Sequence, residues 1–88
     1  MLKTKDEVRW QEQKEGNYLI YYNQDIFEAN DVVVKVLELC RSPQTSKSLM
    51  SAFLGEYDVD AEILKADLAQ IIPQLQGINV LEEVDNGQ

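Results

Sequence analysis

The period of the apolar residues changes at Asn30, and that change limits what the chain can become. Upstream, apolar and aromatic residues alternate or run together as in strands; downstream they recur at i, i+3, i+4 and i+7, as on one face of a helix. Strands first and helices afterwards in 88 residues give an α+β order rather than the alternation of a parallel α/β sheet. A chain of this length makes one domain, residues 1–88, with an ordered core expected over about 7–82. Such a domain buries roughly 60 to 65 % of its unfolded surface, so a deep active-site cleft is not expected.

Val8, Trp10 and Glu12 alternate with Arg9 and Gln11, which predicts a first strand over 7–12. Lys14-Glu15-Gly16-Asn17 makes a turn, and the unbroken run Tyr18-Leu19-Ile20-Tyr21-Tyr22 reads as a central strand covered on both faces. After Asn23-Gln24-Asp25, a third strand over Asp25 to Ala29 forms the outer edge of an antiparallel meander and leaves one row of backbone groups unpaired.

Asn30 is a good N-cap and Asp31 suits the positive end of a helix dipole, so the first helix starts there despite Val32-Val33-Val34. Its inward face is Val33, Val36, Leu37 and Cys40, and Arg41-Ser42-Pro43-Gln44 ends it. Thr45 or Ser46 caps a second helix with Leu49, Met50, Phe53 and Leu54 inward and Gly55 closing it, while Tyr57 and Val59 pack the connection. Asp60 caps a third, in which Leu64, Leu68, Ile71, Ile72 and Leu75 form the clearest apolar stripe. Pro73 is expected to kink or restart that helix near Ile72, and Gly77 ends it. Ile78, Val80 and Leu81 return to the core, and Glu82 to Gln88 read as a frayed acidic tail.

The chemistry of the side chains argues against catalysis. There is no histidine, Cys40 is the only cysteine, and the four glycines are too scattered for a phosphate-cradling loop. Asp58, Asp60 and Glu62 have the alternation of a calcium loop, but Ile63 stands where its glycine is needed, so these acids serve to cap a helix. No cofactor and no metal are expected. A lone cysteine, no signal-like apolar start and no stretch able to span a bilayer predict a soluble cytoplasmic chain without a membrane partner. Residues 1–14 carry four bases against three acids and residues 15–88 four against thirteen. That field repels phosphate backbones and favours cationic or neutral partners.

One constellation remains. If the third-strand edge lies beside the third helix, an extended peptide can pair with the free backbone and place alternate side chains in a trough lined by the helix. The competing reading is a core helix next to a short, harmless edge.

From Trp10 to Leu81 the chain resembles the PqqD-like family of recognition elements for ribosomally made, modified peptides. The resemblance is carried by the strand with Trp10, Phe27-x-Ala29-Asn30 leading into the first helix, Thr45 to Leu54, and Glu56-Tyr57-Asp58-Val59-Asp60 before the third helix. Ala29 stands where leucine commonly precedes the asparagine, and Arg41-Ser42-Pro43 replaces the usual acidic-glycine turn.

The resemblance implies a winged-helix-like fold, a three-stranded antiparallel sheet followed by a three-helix bundle. It also implies a non-catalytic, stand-alone adaptor that binds a precursor's leader by strand addition and presents it to a modifying enzyme or a leader peptidase. A pyrroloquinoline quinone pathway and a lasso-peptide pathway are both compatible. The peptide-binding residues are then Asp25, Ile26, Phe27, Glu28 and Ala29 through their backbone, and Leu64, Lys65, Leu68, Ile71 and Ile72 through their side chains, with Phe27 anchoring the strand from beneath. The exposed strand also allows pairing with a second copy. The alternative function is a winged-helix DNA-binding regulator, but the third helix offers Lys65 as its only base, against Glu62 and Asp67.

Overall fold

A computed structural model describes residues 1–84. In chain order they form β1 (Leu2–Thr4), β2 (Arg9–Lys14), β3 (Asn17–Tyr22), β4 (Asp25–Asn30), α1 (Asp31–Leu39), α2 (Ser46–Glu56), α3 (Ala61–Gly77) and β5 (Leu81–Glu83). The meander is an antiparallel sheet in the order β2-β3-β4, with β3 central and β4 at an edge. Its first hairpin turns at Gly16, whose φ of 79° only glycine adopts freely. The second turns through Asn23 (φ 52°) and Gln24 (φ 72°), the two positive values that a two-residue type I′ turn requires.

Ile20 and Phe27 are cross-strand partners on the inner face, where Trp10 pairs with Ile20 on the other side. That face closes over Val36, Leu37, Cys40, Leu49, Phe53, Leu64, Leu68, Leu75 and Val80 in one contiguous core. Cys40 is fully buried, and burial pushes its thiol pKa up to about 11, which keeps it protonated and unreactive at neutral pH.

The helices begin on the expected caps. The Asn30 side chain accepts from the Val33 N–H at 2.9 Å and the Asp60 carboxylate from the Glu62 N–H at 2.8 Å. Thr45, rather than Ser46, caps α2 in a reciprocal box with Ser48. α2 runs one residue past Gly55. α3 stays helical through Pro73, so it does not restart near Ile72; the cost is the backbone hydrogen bond to Ala69 and the crowding of the proline ring on that carbonyl.

One apolar assignment is corrected: Leu54 is exposed rather than packed inward, while Tyr57 and Val59 stay partly exposed in the connection, with the Tyr57 ring 5.7 Å from that of Phe53. Leu54 lies beyond the turn that carries Leu49 and Phe53 into the core, and the 57–60 connection spans the surface between two helix ends.

The strand expected over 7–12 is β2, which starts at Arg9, with Val8 buried just ahead of it, and extends to Lys14 across a register shift between Glu12 and Lys14.

The larger difference is a second sheet that period and length did not predict. β1 pairs antiparallel with β5, Leu2 opposite Glu83 and Thr4 opposite Leu81, so ordered structure begins before residue 7 and the expected tail is a strand at its start. Residues 85–88 of that tail lie outside the described residues. Each strand has three residues, too short to show periodicity. Thr4 fixes the arrangement: its N–H donates to the Cys40 carbonyl at 2.8 Å and its hydroxyl to the Leu37 carbonyl at 2.7 Å.

Two stability outcomes follow from this geometry. Thr4→Val leaves the buried Leu37 carbonyl without its donor and is expected to cost about 1–3 kcal/mol in urea unfolding. Gln24→Gly relieves a left-handed residue and should stabilise the chain by about 0.5–1 kcal/mol by the same measurement, with the sheet register unchanged.

Candidate functional site: a free strand edge beside the third helix

The register decides which groups of β4 are free. A two-residue turn makes Tyr22–Asp25 the closing hydrogen-bonded pair, and antiparallel ladders alternate from there. Asp25, Phe27 and Ala29 therefore direct their N–H and C=O groups at β3, while those of Ile26 and Glu28 point outward. Both residues are exposed, and Ile26 keeps 61 % of its surface. Phe27 and Ala29 are half-buried and pack on the core, so Phe27 holds the strand from below.

The main contacts of α3 are with α2 and β5, and the head of α1 faces it where β4 ends. A hollow of 250 Å³ lies between Asn30, Val32, Asp67, Gln70 and Ile71. A narrower one of 120 Å³ continues it past Val32 and Asp67 to Tyr57, Val59, Ile63 and Leu64. Val32 and Asp67 line both, so the two form one trough along α3 that starts where β4 ends.

The structure divides the α3 residues named from sequence between two sides of the helix. Leu64 and Ile71 line the trough near β4. Lys65, Leu68 and Ile72 line a different and larger groove of 610 Å³ between α3 and α2, together with Met50 and Pro73. Leu64 and Leu68 are 6 % and 5 % exposed and belong first to the core.

Sequence reasoning missed Val32, Ile63, Asp67 and Gln70. Ile63 was one residue off the apolar stripe, yet it is 63 % exposed. A signal was present: Ile63, Asp67 and Ile71 recur every fourth residue, a second stripe beside the main one. Tyr57, Val59 and Ile63 are also exposed apolar residues interleaved with Asp58, Asp60 and Glu62. The trough is thus apolar from Tyr57 to Leu64 and mixed at its β4 end, where Asn30, Asp67 and Gln70 line it.

The family model described as coenzyme PQQ synthesis protein D (PqqD) matches residues 17–81, from β3 to the start of β5. The chain belongs to the PqqD family. Among curated proteins none matches. Two solved structures share the PqqD-like fold seen here. TbiB1 in complex with the TbiA(beta) leader peptide aligns with a TM-score of 0.71 at 20 % identity, over 96 % of this chain and 99 % of that one. A heterocyclase in complex with substrate and cofactor aligns with a TM-score of 0.63 at 14 % identity, over 99 % of this chain but 11 % of that one. The same architecture therefore occurs as a chain of similar length and as a small part of a large enzyme. Among the described residues no group of side chains could hold a metal, and no helix is long and apolar enough to cross a membrane.

The free edge has a direct readout. In hydrogen exchange of the unliganded chain, the Ile26 and Glu28 amides should exchange at rates close to those of exposed backbone, while Phe27 and Ala29 are protected. Protection of Ile26 and Glu28 equal to that of Phe27 would contradict this assignment.

Proposed function

We propose that this chain is a non-catalytic adaptor that binds the leader segment of a ribosomally made precursor peptide and presents it to a separate modifying enzyme or leader peptidase. The observation that carries the reading is the unpaired edge of β4 beside an apolar trough on α3, in a chain of the PqqD family. The likeness of its fold to a protein held in complex with a leader peptide supports it.

Strand addition uses the N–H and C=O of Ile26 and of Glu28, each bond contributing about 0.5–1.5 kcal/mol. Alternate side chains of the added strand then fall on the α3 side, against Val32, Ile63, Leu64 and Ile71, and on the outer side, beside the exposed Ile26. In this reading the side-chain contacts come from the trough side of α3, whereas Lys65, Leu68 and Ile72 line the groove on its other side. Asp67 in the trough, with Asp31, Asp58, Asp60 and Glu62 next to lining residues in sequence, selects a leader whose apolar residues are flanked by lysine or arginine.

The test is a titration of the full chain with the leader of the precursor encoded beside it, followed by amide chemical shifts and calorimetry. Shifts are expected at Ile26, Glu28, Val32, Ile63 and Ile71, with new exchange protection at Ile26 and Glu28. Glu28→Pro removes an outward donor without touching the β3 ladder and should weaken binding about tenfold, or about 1.4 kcal/mol. Ile63→Asp alters an exposed residue, keeps the fold by circular dichroism and should weaken binding at least as much. Unchanged affinity in both variants, or shifts confined to the α2–α3 side, would sink this reading.

A further inference from the structure

The groove between α2 and α3 is larger than the proposed leader trough and lies across α3 from it. Its lining carries no carboxylate, although the chain has sixteen acids and a net charge of −8. After residue 14 there are only four bases. Lys35 is tied to Glu38 and Glu56 at 3.0 and 2.9 Å, and Arg41 stacks 4.7 Å over Trp10 while donating to the Lys5 carbonyl. The two that remain, Lys47 and Lys65, form no ion pair among the described residues, and both line this groove. The uncommitted positive charge of the acidic body is gathered at one apolar cleft.

Between them runs an apolar floor of Met50, Leu68 and Ile72. Pro73 and Ala69 also line it, and because Pro73 has no N–H the Ala69 carbonyl lacks its α-helical donor. A second hollow of 440 Å³ shares Ser46 and Ile72 with the groove and carries it on towards Met1, Leu2 and Glu83, where the acid-free stretch ends. A cleft between two helices with cationic rims fits a third helix whose apolar stripe is bordered by acids.

We infer that the α2–α3 groove docks an acidic amphipathic helix of the protein that receives the leader, so that leader and receiver occupy opposite sides of α3 at once. The receiver's identity rests on the adaptor reading; the preference for an acidic helix does not.

The test uses the full chain and a synthetic eighteen-residue helical peptide (about five leucines at helical spacing, glutamate borders), with a second peptide in which lysine replaces each glutamate. The glutamate peptide should shift amides of Lys47, Met50, Lys65, Ala69 and Ile72 and leave Ile26 and Glu28 unmoved. The K47E/K65E double variant changes exposed residues only, so it should keep its fold, lose at least tenfold in affinity for the glutamate peptide, gain for the lysine peptide and keep its leader affinity. Equal binding of the two peptides, or indifference to K47E/K65E, overturns the inference. So does tighter, competitive binding of dodecanoate, which would make this an amphiphile site, or self-association of the chain that K47E/K65E abolishes. Loss of leader binding with the glutamate peptide still bound would remove the adaptor reading and leave the groove's preference standing.

Discussion

The arrangement depends on Thr4. It is the one buried polar residue among those described, with no exposed surface. A hydroxyl so placed must be paired, and it is paired to the carbonyl of Leu37 while its own backbone closes on Cys40. α1 ends without a basic residue in its last turn, so these two bonds satisfy helix carbonyls that would otherwise be orphaned. The same three-residue strand pairs with β5, the segment that leaves α3, and the Lys5 N–H donates to the Val80 carbonyl at 3.1 Å. One short strand thereby fixes the end of α1 relative to the end of α3. The position of α3 in turn sets the shape of the trough beside the end of β4.

Much of this was legible from residues 7 to 81 alone. The central strand, the edge, the caps at Asn30 and Asp60 and the core positions Leu37, Cys40, Leu49, Phe53, Leu64 and Leu68 all follow from local chemistry and period, and they agree with one another. β1 and β5 were not legible because neither is long enough to carry a period and each is stabilised only by the other. Pro73 misled for a related reason. Its penalty is local, whereas Leu68 and Leu75 hold the helix to the core on either side of it, and that burial outweighs one missing bond.

The site was half legible. Strand addition involves backbone, and the hairpin register alone identifies Ile26 and Glu28 as the residues with outward groups. The side chains opposite were harder, since the strongest apolar stripe on a helix is the one that the core takes. Leu64 and Leu68 belong to that stripe, and the residues left for a partner are the weaker, neighbouring row of Ile63, Asp67 and Ile71. An amphipathic moment points at the core, so a binding face appears as the apolar residues it leaves unexplained.

An open edge strand invites its own kind as readily as a ligand, and charge separates the two cases. Antiparallel pairing of β4 with a second copy brings Glu28 and Asp25 of each chain to the shared edge, in bodies that each carry a net charge of −8. Like charges facing across a ladder are destabilising, and charged side chains are a usual way of keeping an edge from self-pairing. A leader with basic residues meets the opposite situation at the same backbone groups, because Asp67 and the acids around it then attract. On the proposed reading, the acidity that favours such a leader also disfavours a second copy, so the carboxylates around β4 and the head of α3 would belong to the proposed site.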